Sequence, residues 1–225
     1  MKLLVIDTVT EMCSVALASG DDVIHSEQRV EQSHTDVILE MVNNILASGE
    51  MSLSQLDAIA FNRGPGSFTG LRVCAGVAQG LALSQDLPVI AVSSLAALAQ
   101  GAWREQQANN VLSVIDARMK EVYWGCFESS DGIMVPVCKE KVTPPDRVRP
   151  PAATQWLGVG TGFTVYRHEL CDNAGVNLIA VQEERFPLAR DCVPLAIHHW
   201  KNGQYGDAGT ALPVYLRDNV ATPKS

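Results

Sequence analysis

Two aspartates stand at the ends of apolar segments, where a carboxylate can do chemistry. Asp7 follows Leu-Leu-Val-Ile, and Asp116 follows Val114 and Ile115. A carboxylate placed at the end of a buried strand can hold a hydrated Mg²⁺ beside a nucleotide. Asp116 can equally form a local turn or an ion pair with Arg118. The residue types leave both interpretations open.

A glycine-rich loop runs from Asn62 to Arg72 with the sequence Asn-Arg-Gly-Pro-Gly-Ser-Phe-Thr-Gly-Leu-Arg. Its glycines allow a sharp turn, and Ser67 and Thr69 can satisfy free amides at a helix start, where an anion is also favoured. The Walker pattern is excluded because Leu71 and Arg72 follow the last glycine. A nucleophile elbow is excluded because Phe68 stands where its serine would be. A structural strand-to-helix turn is favoured over a phosphate cradle.

The histidines and cysteines predict no metal site. His198 and His199 are adjacent and point to different sides of a helix, and the other three histidines are isolated. Six cysteines at positions 13, 74, 126, 138, 171 and 192 are too scattered for a zinc ribbon or a compact disulfide framework, so reduced thiols are predicted. We expect no metal and no cofactor.

Composition narrows the class of protein. The chain has 225 residues, of which 47% are hydrophobic and 19% charged, and its formal net charge is −8. Disorder is excluded, and the negative charge disfavours binding of a nucleic-acid backbone by this chain alone. The first apolar run is too short for a secretion signal, and the charge-free run Leu87 to Trp103 contains proline and several polar residues. A cytoplasmic protein without membrane association is predicted.

The chemical candidates lie on a pattern that occurs twice. An apolar strand, an aspartate, a turn of about six residues and a second apolar strand occur near the start and again from Val111 to Phe127. Val5-Ile6-Asp7 matches Val114-Ile115-Asp116 at an offset of 109 residues. This predicts two duplicated subdomains, 1–106 and 107–225, divided at the polar segment Gln106 to Asn110.

Strands and helices alternate after the first hairpin, which predicts an α/β fold whose sheets have parallel members covered by helices. Ser33 and Gly49 are the expected caps of the first helix, and the proline-rich stretch 143–153 is expected to be a loop or extended excursion. Helices are predicted over 34–48, 70–83, from Ser93 or Ser94 toward Trp103, and over 188–201, and buried strands over 56–61, 88–92 and 156–159.

The first two helices are unusually apolar. Apolar side chains of the first helix spread over roughly 200°, about twice the width of a core-facing stripe. The second carries one charge, Arg72, and places Gly76 four residues before Gly80. Such helices must be covered either by their own domain or by a second protein, and the pattern alone leaves both open.

Several segments together resemble the bacterial TsaB family, also called YeaZ. They are Leu-Leu-Val-Ile-Asp-Thr-Val-Thr-Glu-Met-Cys-Ser-Val-Ala-Leu, Gly-Pro-Gly-Ser-Phe-Thr-Gly-Leu-Arg, Val-Ile-Asp-Ala-Arg-Met-Lys-Glu-Val-Tyr-Trp and Pro-Val-Tyr-Leu-Arg. The resemblance extends in register over almost the whole chain and is weakest from Ser129 to Asp191. It implies an actin-like ATPase (ASKHA, ribonuclease-H-like) fold of two subdomains with mixed sheets and flanking helices. It also implies a role in making N6-threonylcarbamoyladenosine at position 37 of tRNAs that read codons starting with A.

The same resemblance implies partners. The paralogue TsaD performs the transfer with a metal held by a His-x-x-x-His pair, and Ser94 and Leu98 occupy those two positions here. A non-catalytic scaffold is therefore expected, which binds TsaD as a heterodimer, meets TsaE and tRNA only through that complex, and forms a homodimer when alone. The implied interface lies on the first two helices and comprises Val37, Ile38, Met41, Val42, Ile45, Val73, Gly76, Val77, Gly80 and Leu81.

Three different functions also remain open. A small-molecule kinase or ATPase of the actin-like superfamily would bind ATP and Mg²⁺ through Asp7, Thr8, Thr10 and Asp116, and without activity these four would be a vestigial nucleotide site. The first turn lacks the glycines that let phosphates approach closely, which disfavours such an enzyme. The second possibility is a protease-like enzyme, and the third is a homodimer that needs no partner.

Overall fold

The fold is built on two mixed sheets. The computed structural model describes residues 1–30, 34–152, 154–172 and 175–217. The first sheet contains β1 (Lys2–Asp7), β2 (Met12–Ser19), β3 (Asp22–Arg29), β4 (Ala58–Gly64) and β5 (Val89–Ser93), in the order β3-β2-β1-β4-β5. β1, β2 and β3 form an antiparallel meander, whereas β4 and β5 are parallel to β1.

The second sheet repeats this topology. It contains β6 (Asn110–Asp116), β7 (Val122–Ser130), β8 (Ile133–Pro136), β9 (Lys141–Thr143), β10 (Trp156–Val159) and β11 (Leu178–Gln182), in the order β11-β10-β6-β7-β8 with β9 also paired to β7. β6 and β7 are antiparallel and β10 and β11 run parallel to β6, as in the first sheet. Asp7 and Asp116 end equivalent strands. The predicted actin-like α/β fold with two duplicated halves is confirmed.

Six α-helices cover the sheets in the described part of the chain: α1 (His34–Ser48), α2 (Phe68–Gln85), α3 (Ser94–Gln106), α4 (Thr161–Val165), α5 (Arg167–Cys171) and α6 (Ala189–Lys201). α1 and α2 pack on one face of the first sheet, and α4 and α5 pack on the corresponding face of the second. No helix in the described residues is both long and apolar enough to cross a membrane.

α3 and α6 lie between the two halves and pack against each other. α3 contributes Leu95, Leu98 and Ala99 to the core of the second sheet, although its sequence belongs to the first half. α6 packs on the first sheet through Cys192, Val193 and Leu195, although it follows the second sheet in sequence. The polar segment at 106–110 does separate α3 from β6, but the two halves exchange their last helices across it. A division at residue 106 therefore stays a prediction about domains.

The predicted element boundaries differ from the structure by a few residues. β4 begins at Ala58 rather than 56 and extends to Gly64, and α2 begins at Phe68 and ends at Gln85. Ser93 caps α3 by accepting hydrogen bonds from the amides of Leu95 and Ala96. At the end of α1 the left-handed residue is Glu50, one residue after Gly49. Ser33, the expected first cap, and part of the loop 143–153 lie outside the described residues.

Of the two coverings that the sequence left open for α1, the structure shows mainly the one by its own domain. Four of its predicted interface residues, Ile38, Met41, Val42 and Ile45, are buried in the core of this chain, with at most 7% of their surface exposed. α1 contacts β2 and β3 on one side and α2 on another, so this domain covers most of the wide apolar face, although Leu39 keeps 44% of its surface exposed. Only Val37 of the five α1 residues remains partly accessible.

Candidate functional site

A large cleft lies between the two halves. Its volume is about 1030 Å³, and both hairpin turns, the start of α2, α4 and the C-terminal segment line it. Thr10 and Asp116, from the equivalent turns after β1 and β6, are both at its wall. A cleft of this size can hold a small molecule of nucleotide dimensions.

Two of the four predicted nucleotide-site residues do not line the cleft. Asp7 is completely buried, and its carboxylate accepts hydrogen bonds from the Val9 amide (3.0 Å) and the Asn62 side-chain amide (2.6 Å). The Thr8 hydroxyl is also buried and donates to the Gly70 carbonyl oxygen at 2.8 Å. Protein groups are hydrogen-bonded to both Asp7 oxygens, so Asp7 and Thr8 hold the first hairpin turn to its neighbours. A vestigial nucleotide site at Asp7, Thr8, Thr10 and Asp116 stays a prediction.

Burial changes the acidity of groups in this buried cluster. It raises the pKa of Asp7 to about 7, although the hydrogen bonds from Val9 and Asn62 oppose the rise. Burial, and then the charge of Asp7, raise the pKa of Cys74 to about 12 and that of Cys13 to about 11. The neighbouring thiols therefore stay uncharged where Asp7 titrates.

Asp7 should make the free energy of unfolding fall as pH rises. Its pKa is higher in the folded chain than in the unfolded chain, so its contribution is complete below about pH 4 and is lost as pH rises through 7. The advantage of the native chain over Asp7→Asn should shrink by about 1.4 kcal/mol per pH unit in that window. Urea unfolding of both proteins at several pH values measures this difference. If the free energies of unfolding of the two proteins changed in parallel with pH, the prediction would be contradicted.

Asp116 is held in a local ion pair, one of the two interpretations of its sequence. Its carboxylate accepts a hydrogen bond from the Arg118 amide at 2.9 Å and contacts the Arg118 guanidinium at 3.1 Å. The charge of Asp116 and its hydrogen bond also contribute to a raised pKa of Tyr166, after burial. Asp116 reaches the cleft wall, but it does so as part of this pair.

The glycine-rich loop is packed against the first hairpin turn. The Ser67 amide donates to the Val9 carbonyl oxygen at 2.8 Å, and the Ser67 hydroxyl accepts from the Gly70 amide as the cap of α2. A Cβ on Gly66 would lie 2.4 Å from the Val9 oxygen, and one on Gly70 would lie 2.1 Å from the Thr8 oxygen. These contacts favour the interpretation of the loop as a structural turn, because its glycines allow the backbone of the loop to pack directly on the backbone of the first hairpin turn.

Three arginines line the cleft, of which the sequence interpretation had considered only Arg118. Each has a carboxylate partner: Arg29 with Glu11 at 3.5 Å, Arg118 with Asp116, and Arg217 with Glu121 at 2.6 Å. The guanidinium of Arg217 also donates to the Ala117 carbonyl oxygen at 3.1 Å, which ties the C-terminal segment to the second hairpin turn. Arg217 is the last residue of the Pro-Val-Tyr-Leu-Arg motif, which was the one feature of the sequence that drew attention to this segment. An anionic ligand would compete with these carboxylates.

Ser94 and Leu98, which the resemblance matches to the metal-ligand positions of TsaD, are part of the interior. The Ser94 hydroxyl is buried and donates to the Asn62 side-chain oxygen at 2.7 Å, in the same network as Asp7. Leu98 is buried among apolar residues of the second sheet. No group of three or more His, Cys, Asp or Glu side chains suited to a metal was found among the described residues.

The outer face of α2 is a second candidate site. Gly76 and Gly80 are exposed, and a Cβ on either would meet no atom within 4 Å. Leu83 has 74% of its surface exposed, and Val73 and Val77 lie partly exposed beside the glycines. These side chains fall on one side of the helix at 100° per residue. The face is apolar and nearly smooth, which allows another backbone to approach closely.

The duplicated sheets, the cleft between them and the exchanged helices define a protein of the actin-like ATPase fold. A model of the family described as "TsaD: tRNA N6-adenosine threonylcarbamoyltransferase" matches residues 23–224. The chain belongs to this TsaD-like family and, within it, to the TsaB (YeaZ) group.

Individual relatives place it in that group. The "tRNA threonylcarbamoyladenosine biosynthesis protein TsaB" of Escherichia coli K12 is 42% identical over all of this chain and 98% of its own length. The protein of the same name from Haemophilus influenzae is 38% identical over all of this chain and 97% of its own length. The structure of YeaZ from Pseudomonas aeruginosa is similar with a TM-score of 0.89 at 44% identity, over 96% of this chain and 99% of that one.

A further solved structure from Pseudomonas aeruginosa is described as an uncharacterized protein with similarity to the peptidase YeaZ. It superposes with a TM-score of 0.91 at 44% identity, and covers 96% of this chain and 99% of that one. The family is shown by these matches, and the partner-binding residues stay predictions.

Proposed function

We propose that this chain is a non-catalytic subunit in the formation of N6-threonylcarbamoyladenosine in tRNA, and that it binds and stabilises TsaD. The observation that carries the proposal is the outer face of α2. Gly76 and Gly80 leave a gap in the side-chain layer next to the exposed Leu83. A helix of a partner can pack closely on such a surface, and burial of its apolar area favours association.

The interface therefore centres on α2, with Val73, Gly76, Val77, Gly80 and Leu81 as its accessible members and Val37 of α1 beside them. The buried α1 residues support this surface from below. In the absence of TsaD, a second copy of the chain covers the same face and forms a homodimer, and TsaE binds through the complex with TsaD.

The absence of a catalytic role is supported by what occupies the TsaD metal positions. Leu98 has no donor atom for a metal, and the hydroxyl of Ser94 is used in the Asn62 network. The net charge of −8 makes independent tRNA binding unfavourable, so tRNA is contacted through the complex. The names of the relatives agree with a part in this tRNA modification.

The test combines partner binding and pathway. The chain should co-purify with TsaD of its own genome, and extracts that lack it should lose modified adenosine, which returns on complementation. The purified chain alone should neither transfer threonylcarbamoyl groups to tRNA nor bind tRNA with sub-micromolar affinity at physiological salt. Calorimetric titration with ATP and Mg²⁺ tests for a kinase. Transfer by the isolated chain, or modification that is normal without it, would overturn the proposal.

A further inference from the structure

Two free thiols meet at an irregular site in the second sheet. β7 pairs with β8 up to Phe127, opposite Pro136, and with β9 from Trp124, opposite Lys141. Between these pairs β7 has two residues, whereas the opposite chain has four, 137–140. The four-residue segment folds back over β7, since the Val137 amide donates to the Cys126 carbonyl oxygen at 2.9 Å.

This irregular segment, residues 137–140, brings Cys138 next to Cys126. The Cys126 amide donates to the sulfur of Cys138 at 3.3 Å, so the Cys138 sulfur lies beside Cys126. Both cysteines are free thiols; Cys126 is buried and Cys138 is partly exposed. An accessible sulfur that accepts an amide hydrogen bond next to a second thiol has the features of a reactive cysteine.

The two thiols differ in acidity. The neighbouring Cys126 thiol is the main cause of a lowered pKa of Cys138; the Cys126 amide and the charge of Lys141 also lower it, whereas burial and the charge of Glu140 raise it. The Cys138 thiol and burial raise the pKa of Cys126. The accessible sulfur is therefore the more acidic of the two, as attack on a peroxide requires. Lys141 is exposed and directly follows this segment.

The segment that carries Cys138 also connects the two halves of the molecule. Glu140, two residues further on, accepts a hydrogen bond from the Ser93 hydroxyl and pairs with Arg63 at 3.3 Å. Ser93 caps α3, and Arg63 lies on β4. A covalent change at Cys138 therefore acts on a segment that is bonded to the first half.

We infer that Cys126 and Cys138 form a dithiol site that hydrogen peroxide oxidises reversibly to an intramolecular disulfide. The Cys138 thiolate attacks one peroxide oxygen, the O–O bond breaks, and the leaving hydroxide takes a proton to form water. Cys138 is then a sulfenic acid. The Cys126 sulfur attacks it, the S–O bond breaks, and a second water leaves with the Cys126 proton. The two sulfurs lose two electrons and the peroxide gains them; a thiol reductant reverses the step.

The test uses the full-length chain and hydrogen peroxide near neutral pH. The intact mass should fall by two hydrogen atoms, and peptide mapping without reductant should join Cys126 to Cys138. Dithiothreitol should restore the original mass. Cys138 should react about tenfold faster than the exposed Cys171, because its thiolate fraction is larger.

Three variants make the result specific. Cys138→Ser should abolish the disulfide, whereas Cys171→Ser, on the surface, should leave it unchanged. Cys126→Ala removes the second sulfur, so Cys138 should accumulate as a sulfenic acid that dimedone traps. If Cys171 oxidises before Cys138, or if Cys138 passes to the sulfinic acid in the native chain without joining Cys126, the inference is overturned.

Discussion

Gly80→Glu should weaken the association with TsaD at least about 100-fold and separate the proposed homodimer, while making the monomer more stable. The carboxylate would lie in the centre of the proposed interface, where the cation of α2, Arg72, is eight residues away and the carboxylate must lose its water, at a cost of roughly 3 kcal/mol or more. In the monomer the new side chain meets only solvent, because no atom lies within 4 Å of the Cβ position. Glutamate is also a better helix former than glycine, by about 0.5 to 1 kcal/mol.

The measurements are binding of the variant to TsaD by calorimetry, its oligomeric state by light scattering, and its unfolding by urea. Gly80→Gln has nearly the same volume without the charge, so it separates steric exclusion from desolvation of an ion. Gln106→Glu adds the same charge at an exposed position of α3 and should leave binding unchanged. A Gly80→Glu protein that binds TsaD with native affinity would remove this face of α2 from the interface.

Much of this fold could be predicted from local sequence pattern. Periodicity located α1, α2, α3, α6 and the buried strands to within a few residues but did not predict the short helices α4 and α5. The internal match at 109 residues predicted the repeated topology. The exchange of α3 and α6 between the halves could not be predicted in this way. It depends on which sheet face each helix meets, and no local pattern records that.

The partner surface was harder to predict for the same reason. A wide apolar face shows that a helix is covered, but not by what, and α1 is covered by its own sheet and by α2. α2 was singled out for Gly76 and Gly80, whose lack of side chains is visible in the sequence, and both glycines are exposed. Their part in partner binding stays a prediction. In the cleft, Asp7 follows an apolar strand as a ligand would, but its hydrogen bonds to Val9 and Asn62 are evident only in three dimensions.

Gly70→Ala should destabilise the chain by several kcal/mol, although alanine is normally the better helix former. The added methyl carbon would lie 2.1 Å from the Thr8 carbonyl oxygen and 3.2 Å from the Val9 Cα. Both neighbours are backbone atoms, so the start of α2 must move away from the first hairpin turn. That movement would break the hydrogen bond from Thr8 to the Gly70 oxygen (2.8 Å) and loosen the one from Ser67 to Val9. Lost bonds and packing of this kind cost about 3 kcal/mol or more together.

Gly76→Ala is the matched control, because it is the same substitution in the same helix six residues further on. Its Cβ would meet no atom within 4 Å, so at protein concentrations where the chain is monomeric it should stabilise the fold by about 0.5 to 1 kcal/mol through helix propensity alone. Urea unfolding should therefore give shifts of opposite sign for the two variants. If both stabilise the chain, the close contact of Gly70 with the turn is absent in solution. Close packing would then no longer explain the glycines of the Gly-Pro-Gly-Ser-Phe-Thr-Gly loop, and they would have to serve a ligand instead.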